Sequence, residues 1–592
     1  MSSLEKNEES LNSQHIGSIE TNEMSKWQKF KDSFKRADIP DNHIVESSNN
    51  SILQNTNNSD NHDLELQDKY STNEEEPSGE LHRELKNKHI QMIALGGSVG
   101  TGLLIGSGGS LRTGGPASLI IAWGLVGTMV YCTIMALGEL CVAFPVNGAF
   151  SQYGSRFVDE SWGFAVGWNY AIMWLIVLPL ELVAAAMCIS YWNNDINPAS
   201  WVAIFYVLIM IINLFGVKGY GEAEYYLTIF KIIAIIGFII LGVVLVVGGG
   251  PKKEFIGAKN WHIDKAPFPN GFKGLATTFV TASYSMAGSE MCGIAASEAK
   301  NPAKTLPKAV RQVFWRIFLF FFLSLTMIGL LVPYNSPDLL GSGYVSSSPF
   351  VIAIKDAGIY ALPSIFNACI LISVVSVGNS AVYGCSRTVQ SLGQQGLGPS
   401  ILAYVDVKGR PLAGLALSAV FGLLCFLAAY KDQSTVFAWL LSVSGLATIF
   451  SWFNICLCHL RFRMAMSKQN RSLKELSFTS KLGIYGSIYS MGFLILVLGV
   501  QFWVALFPLG SNGKANAENF FKNYLGSVVI LIFYLGHKIY SKDWKIYKNL
   551  DQIDLDSGRR QVDLEVIQSE LEEERLLAKN KPMYIRIWNY WC

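Results

Sequence analysis

Glycine residues crowd the stretch Gly96–Gly106, which reads GGSVGTGLLIG and lies within an apolar segment from about Ile90 to Leu111. Glycines spaced this closely weaken a helix and let its backbone open. At membrane depth, opened backbone is tolerated only where it lines a cavity or is buried in protein. Bare N–H groups at the start of a half-helix attract an anion such as a carboxylate. The stretch therefore predicts one half of a substrate site at the middle of a bilayer.

The same glycines also fit a simpler role in helix packing. Small residues four positions apart, such as Gly96 and Gly100, let two spanning helices approach closely. This stretch alone does not decide between packing and binding. A dinucleotide-binding loop is disfavoured, because the spacing is not G-x-G-x-x-G and no strand precedes it.

A second interruption lies in the sixth apolar segment, which runs from about Phe272 to Ala296 and contains Ser283–Glu290, SYSMAGSE. Paired interruptions at matching positions of two halves are the sequence pointer to an inverted-repeat transporter. Packing explains one glycine cluster but does not readily explain two that lie five spans apart. Binding is therefore the favoured interpretation, and Ser285 and Gly288 join the candidate substrate-binding residues.

Four ionisable residues fall inside apolar segments, where charge is costly and needs a reason: Glu139, Glu181, Lys231 and Glu290. An ammonium in an apolar wall can exchange protons, so Lys231 is a candidate for proton coupling, with structural anchoring as the alternative. Glu290 is the second candidate, although support of a broken helix is favoured over a direct proton role. For Glu139, a structural partner and a functional role are left open.

Composition places the chain in a membrane. Its 592 residues are 51% hydrophobic and 16% charged, and apolar runs of about twenty residues recur along the chain. The near balance of 47 Lys and Arg against 45 Asp and Glu argues against nucleic acid as a partner. We expect no cofactor and no metal, because Cys456 and Cys458 near the end of a span favour packing. No nucleophile–base pair suggests an enzyme.

The apolar lengths predict an all-α polytopic membrane protein with twelve transmembrane helices. The expected order is a disordered N-terminal tail (1–88), two five-helix blocks (89–248 and 272–460), two additional helices (482–541) and a C-terminal tail (542–592). An even number of spans puts both tails on one side, and basic connections after the sixth and tenth spans place that side in the cytosol. The basic loop Lys252–Lys265 falls outside and is the exception.

Several short sequences along the chain resemble one known family. They are Gly97–Gly106, Arg112–Ser118 (RTGGPAS), Ala136–Leu140 (ALGEL), Gly216–Glu224 (GVKGYGEAE) and Pro333–Asn335 (PYN). With them, the chain resembles the amino acid–polyamine–organocation superfamily, and more closely the fungal amino-acid permeases. The tail motif Lys26–Arg36 and the ending Arg586–Cys592 are similar to those of the general amino-acid permeases of yeasts. The resemblance covers nearly everything from about Leu85 onward.

This resemblance implies a twelve-span fold with a five-plus-five inverted repeat, in which helices 1 and 6 are broken. It implies proton-driven uptake of amino acids at the plasma membrane, with broad specificity and with both termini cytosolic. Gly100, Thr101 and Gly102 would hold the substrate carboxylate through backbone N–H groups and a hydroxyl. Carbonyl groups of three residues would hold the substrate ammonium: Ser98, Tyr284 and Ala287.

The resemblance also implies roles for single side chains. Tyr284 would gate the substrate, and Lys231 resembles the lysine of proton-coupled bacterial relatives. Lys6 and Lys26 in the tail are candidate ubiquitin acceptors, which makes the ubiquitin ligase machinery a candidate partner beside substrate, proton and lipid. We therefore hypothesise a proton-coupled amino-acid symporter that works by alternating access. The rival hypothesis is an amino-acid-sensing receptor that signals through its tails with little net transport.

Overall fold

The computed structural model describes residues 32–36, 81–192, 195–299, 302–340, 348–430, 433–511, 513–559 and 582–583. Over these ranges the chain is helical, and its only β-type pairings are two isolated bridges. The candidate ubiquitin acceptors Lys6 and Lys26 and the ending Arg586–Cys592 lie outside the described residues.

The apolar runs form α-helices that are separated by turns rich in Gly, Pro and Asn. In chain order they are α1 (Asn87–Ser98), α2 (Thr101–Leu104), α3 (Gly106–Ala143), α4 (Ala149–Phe157), α5 (Glu160–Ile189), α6 (Pro198–Leu214), α7 (Gly216–Val246), α8 (Gly271–Met286), α9 (Met291–Ala295), α10 (Pro302–Leu331), α11 (Pro349–Asp356), α12 (Leu362–Gln394), α13 (Leu412–Gly422), α14 (Leu427–Tyr430), α15 (Gln433–Lys468), α16 (Gly483–Leu506) and α17 (Ala517–Ser541).

Eight helices in the described ranges are long and apolar enough to cross a membrane: α3, α5, α7, α10, α12, α15, α16 and α17. Two shorter apolar helical stretches lie at Pro198–Leu214 and Leu412–Phe426. The predicted first and sixth segments are each divided into shorter helices, at the positions where glycine and small polar residues interrupt the apolar run. The described part of the chain is therefore an all-helical, multi-pass membrane fold.

Helix α3 contains a sharp bend that separates the end of the predicted first segment from the second. Gly115 has a φ of +82°, a conformation that L side chains rarely adopt, and Pro116 follows it. A Cβ on Gly115 would lie 2.2 Å from the carbonyl oxygen of Pro267, so only glycine fits this close approach. The bend at Gly115 falls between Leu111, the predicted end of the first segment, and Pro116, the predicted start of the second.

The helices differ strongly in how deeply they lie within the protein. We compare the buried share of the most apolar stretch in each helix. This share is 83% in α5, 75% in α15 and 72% in α12, but only 28% in α7 and 17% in α17. Helix α5 packs most extensively against α12. The outer helices expose large apolar side chains such as Ile240 and Ile539. In water such a surface would be unstable, so these helices face lipid.

Two helices extend well beyond their apolar runs, and in α15 the added polar residues include one that is bound to a buried carboxylate. Helix α15 continues to Lys468, although its apolar run ends near Cys458. Arg463 Nη2 donates to Glu139 Oε2 over 2.7 Å, and the backbone N–H of Ser480 donates to the same oxygen over 2.6 Å. Glu139 is thus a buried structural partner both of the end of α15, through Arg463, and of the segment that follows it, through Ser480. Helix α7 likewise begins at Gly216, before the predicted start at Tyr226.

The segment that follows α17 folds back on the connection between α15 and α16. The amide Nε2 of Gln469 donates to the carbonyls of Leu550 and Ile553 over 2.8 and 2.9 Å. Arg471 forms an ion pair with Glu475 at 2.8 Å. The hydrogen bond from Arg471 lowers the pKa of the Glu475 carboxyl to about 2. The beginning of the predicted C-terminal tail is therefore an ordered strap.

Residues 32–36 form a separate small unit with 405–409. Within it, the N–H of Val407 donates to the carbonyl of Lys35 over 3.0 Å, and Arg36 pairs with Asp406 in an isolated antiparallel bridge. The earlier residues of the Lys26–Arg36 motif lie outside the described residues.

Candidate substrate site

The first helix breaks where the glycine stretch predicts an opening. Helix α1 ends at Ser98, Val99 and Gly100 have extended backbone, and α2 begins at Thr101. The N–H groups of Gly100, Thr101 and Gly102 have no acceptor anywhere in the described ranges. After one irregular residue, α2 continues into α3, so these groups stand at the start of a longer helical segment. They can donate to an anion.

The sixth predicted segment breaks at Ala287–Glu290, between α8 and α9. Gly288 has a φ of +91°, and a Cβ there would lie 2.5 Å from the carbonyl oxygen of Gly97. Because the atom in the way belongs to backbone, no side chain could be fitted by a rotamer change. The two broken helices therefore touch through their backbones at Gly97 and Gly288. The glycines serve packing as well as opening, so the two interpretations of the sequence combine.

Glu290 fixes the second break. Its carboxylate accepts hydrogen bonds from the N–H of Gly288 at 3.1 and 3.2 Å, from Tyr170 Oη at 3.3 Å and from Trp452 Nε1 at 3.2 Å. These donors come from α5, α15 and the break itself, and the side chain is completely buried. The geometry favours positioning of the broken helix over a direct exchange of protons.

A small cavity of about 20 Å³ lies between the two breaks. Its lining includes most of the predicted binding residues: Ser98, Gly100, Thr101, Gly102, Tyr284, Ser285 and Ala287. Gly288 lies behind this wall, against Gly97. The volume is room for about one water molecule, so an amino acid would need the surrounding helices to move apart.

Glu181, which in the sequence stands out only as a costly charge within a span, also lines this cavity. Thr101 Oγ1 donates to Glu181 Oε1 over 2.8 Å. The other carboxylate oxygen, Oε2, is buried and has no hydrogen-bond partner among the described residues. A carboxylate in the middle of an apolar helix was the sequence signal that Glu181 has a special role. Its position beside Thr101 could be seen only in the fold.

Lys231 lies behind the first break and does not line the cavity. Its Nζ donates to the carbonyl of Gly96 over 2.5 Å, and only 1% of the residue is exposed. Two buried carboxylates, Glu224 and Glu181, lie within electrostatic range of this ammonium. Ser376 Oγ donates to Glu224, which also packs directly against Gly96. A buried cation thus contacts the broken backbone on one side and faces acidic residues on the other.

Comparison with known proteins identifies close relatives. The sequence profile of the amino acid permease family matches residues 89–549. Amino-acid permease GAP3 of Candida albicans is 70% identical over 97% of this chain and 95% of its own length. General amino-acid permease GAP1 of Saccharomyces cerevisiae is 49% identical over 97% and 93%, and tryptophan permease of the same yeast is 49% identical over 86% and 87%. Relatives of equal identity carry different substrate names, so identity does not fix substrate range.

Proposed function

Because the chain belongs to the amino acid permease family, it is a membrane transporter rather than an enzyme, and we propose that it takes up amino acids together with protons by alternating access. The observation that carries this proposal is the contact between two broken helices around a cavity lined by unpaired N–H groups. A receptor with little net transport has no such specific support.

The proposed architecture has twelve spans, the first ten of which form a five-plus-five inverted repeat, at the plasma membrane with both tails in the cytosol. Helices α1 and α2 with the start of α3, as far as Gly115, form the first span, and the rest of α3 forms the second. Helices α8 and α9 form the sixth, and α13 with α14 the ninth. Matching breaks in the first and sixth spans support the repeat. The basic connection after α15 supports the cytosolic side.

The substrate binds by its charged head group. The N–H groups of Gly100, Thr101 and Gly102 take the carboxylate, because they lack other acceptors and stand at a helix start. Carbonyls of Ser98, Tyr284 and Ala287 take the ammonium together with the free oxygen of Glu181. Tyr284 covers the site and must swing aside for entry. The two ends of the zwitterion therefore bind to two different broken helices.

Proton coupling uses the cluster behind the first break. Lys231 binds the carbonyl of Gly96 directly, and Glu181 joins the substrate cavity to this lysine electrostatically. Loss or gain of a proton at this cluster changes the charge next to the backbone that holds the substrate. Glu290 acts as a positioning residue for the second break.

Uptake by the purified chain in proteoliposomes tests the proposal. With the outside made acidic, we expect a labelled amino acid to accumulate above its external concentration, and we expect collapse of the pH gradient to stop this accumulation. Competition by each common amino acid then gives the substrate range, with protein-free liposomes as the control. Saturable binding without accumulation would favour the receptor instead.

Alternating access also requires contacts that close one side of the substrate cavity. A buried cluster around Glu298 is suited to this role, because it joins several helices to one another. Tyr383 Oη donates to Glu298 Oε2 over 2.5 Å, and Arg387 Nε donates to Oε1 over 3.3 Å. The backbone of Leu85, just before α1, donates to the Glu298 carbonyl over 3.0 Å. The ring of Tyr220 stacks on Tyr383 at 4.2 Å. This cluster, the Glu298 latch, joins α12 and α7 to the ends of both broken spans.

Replacement of Tyr383 by phenylalanine should favour the state that is open on the side of the Glu298 latch. A hydrogen bond to a buried charge contributes about 1.5–3 kcal/mol, so the open population should rise roughly tenfold to hundredfold. A Val377→Cys substitution places a thiol in the cavity wall, where an impermeant reagent added on that side reports opening. Tyr360→Phe, at a residue that is 97% exposed, is the matched control. Equal labelling rates in the two variants would contradict the latch.

A further inference from the structure

A second and larger cavity lies next to the substrate cavity. It has a volume of about 270 Å³, close to the lower bound of about 300 Å³ for pockets that bind small molecules. Tyr284 and Gly102 line both cavities, so the Tyr284 side chain lies at the boundary between them. The remaining walls come from the start of α3, from α8, α15, α16 and α17, and from the residues that follow α16. Helices α16 and α17 lie outside the proposed repeat, and both contribute residues to this lining.

One polar side chain in this wall has no hydrogen-bond partner among the described residues. Gln501 is only 7% exposed, lines the cavity, and forms no hydrogen bond with any residue that the structure describes. The two neighbouring amides are already engaged: Asn519 Nδ2 donates to the carbonyl of Ala505 over 2.8 Å, and Asn523 Nδ2 donates to the carbonyl of Asn519 over 2.9 Å. Neither amide atom of Gln501 is fully buried, so the amide faces the space of the cavity and can donate to or accept from a molecule inside it.

The charge of the walls limits what that molecule can be. None of the residues that line the cavity carries a charge. The nearby ammonium of Lys273 already donates to the carbonyl of Pro508 and lies over the ring of Trp503. A molecule with a net charge would therefore be left without a counter-charge. Val280 and Val504 add apolar surface to the lining. The lining suits a small molecule without net charge that has both polar and apolar parts.

We propose that this cavity is a second amino-acid site, specific for amino acids with uncharged side chains, which fills separately from the central site on the other side of Tyr284. The inference rests on the proposed function, because it assigns the same class of substrate to the second site. In the proposed topology the cavity lies on the outer side, so an incoming amino acid meets it before Tyr284 opens. Gln501 holds the polar head of that molecule, and the valines contact its side chain.

The number of amino acids that the purified full-length chain binds at equilibrium tests this proposal. We expect two L-leucine molecules per chain and a single L-lysine. Val504→Trp should fill the cavity and reduce leucine binding to one. Gln501→Leu removes one neutral hydrogen bond and should weaken the second leucine about threefold to tenfold. Gly499→Ala is the matched control, because Gly499 lies on the same helix with open space around it. This variant should still bind two leucine molecules.

A variant blocked at the central site separates the two proposals. A Cβ on Gly100 would lie 2.6 Å from Val377 Cγ2, and Gly100 lines only the central cavity. Gly100→Val should therefore stop uptake but still bind one leucine. If wild-type chain binds one leucine and Gln501→Leu and Val504→Trp leave it unchanged, the second site is overturned while uptake still supports the transporter. If the wild-type chain neither binds nor accumulates leucine or any other common amino acid, both proposals fail.

Discussion

Replacement of Lys231 by methionine should remove the response of uptake to an imposed pH gradient. Methionine is of similar length to the lysine side chain but carries no exchangeable proton, and it cannot donate to the Gly96 carbonyl that Lys231 Nζ contacts at 2.5 Å. One pH unit corresponds to about 1.4 kcal/mol per proton, which drives about tenfold accumulation in a one-proton symporter. In proteoliposomes with that gradient, the variant should only equilibrate its substrate across the membrane.

Lys218→Met is the matched control for this experiment. It removes a lysine from the same helix, α7, but at an exposed position. We expect it to accumulate substrate like the unaltered chain. If Lys231→Met itself still accumulates substrate about tenfold, Lys231 is not the coupling group, and the two buried carboxylates near it, Glu181 and Glu224, become the candidates.

Gly102→Val should reduce uptake about tenfold to hundredfold while the protein remains inserted in the membrane. A Cβ on Gly102 would lie 2.6 Å from Ser285 Cα, so the added side chain meets the backbone of the other broken helix. Overpacking of this kind costs about 1–3 kcal/mol, and here the cost falls on the closed state around the substrate. Initial rates of uptake, divided by the amount of protein in the membrane, measure the effect.

Gly109→Val is the control that isolates the contact. It introduces the same side chain seven residues further along, at an exposed glycine with no neighbouring atom within 4 Å. Its rate of uptake should stay close to that of the unaltered chain. If Gly102→Val also transports at that rate, the close approach of the two broken helices at this point is not part of the transport cycle.

Much of the fold followed from local patterns of residues. Apolar length located the helices, and closely spaced glycines located the break between Ser98 and Thr101. Those signals are local, because they depend on how a short run of residues behaves in lipid. Helix ends were less predictable: α7 starts at Gly216, and its first turns contain Glu224, which the fold buries beside Ser376. No local pattern indicates such a distant partner.

The composition of the site was predictable only in part. The sequence predicted two interrupted helices at a candidate substrate site, but not that Gly97 and Gly288 touch. It marked Glu181 as a charge in a span, whereas its contact with Thr101 depends on residues 80 positions apart. The amide of Gln501 gave no signal, because a glutamine near the end of an apolar helix is common at a membrane surface.

The contact between Gly97 and Gly288 has a consequence for the timing of the transport cycle. The two breaks are in contact through backbone atoms, which cannot move aside as a side chain can. If one broken helix rotates, it therefore displaces the other at the break. In the proposed alternating-access cycle, the entrance and the exit would therefore be coupled mechanically through this contact and through the close approach of Gly102 to Ser285. In that cycle, a leak through both at once would require these backbone contacts to separate.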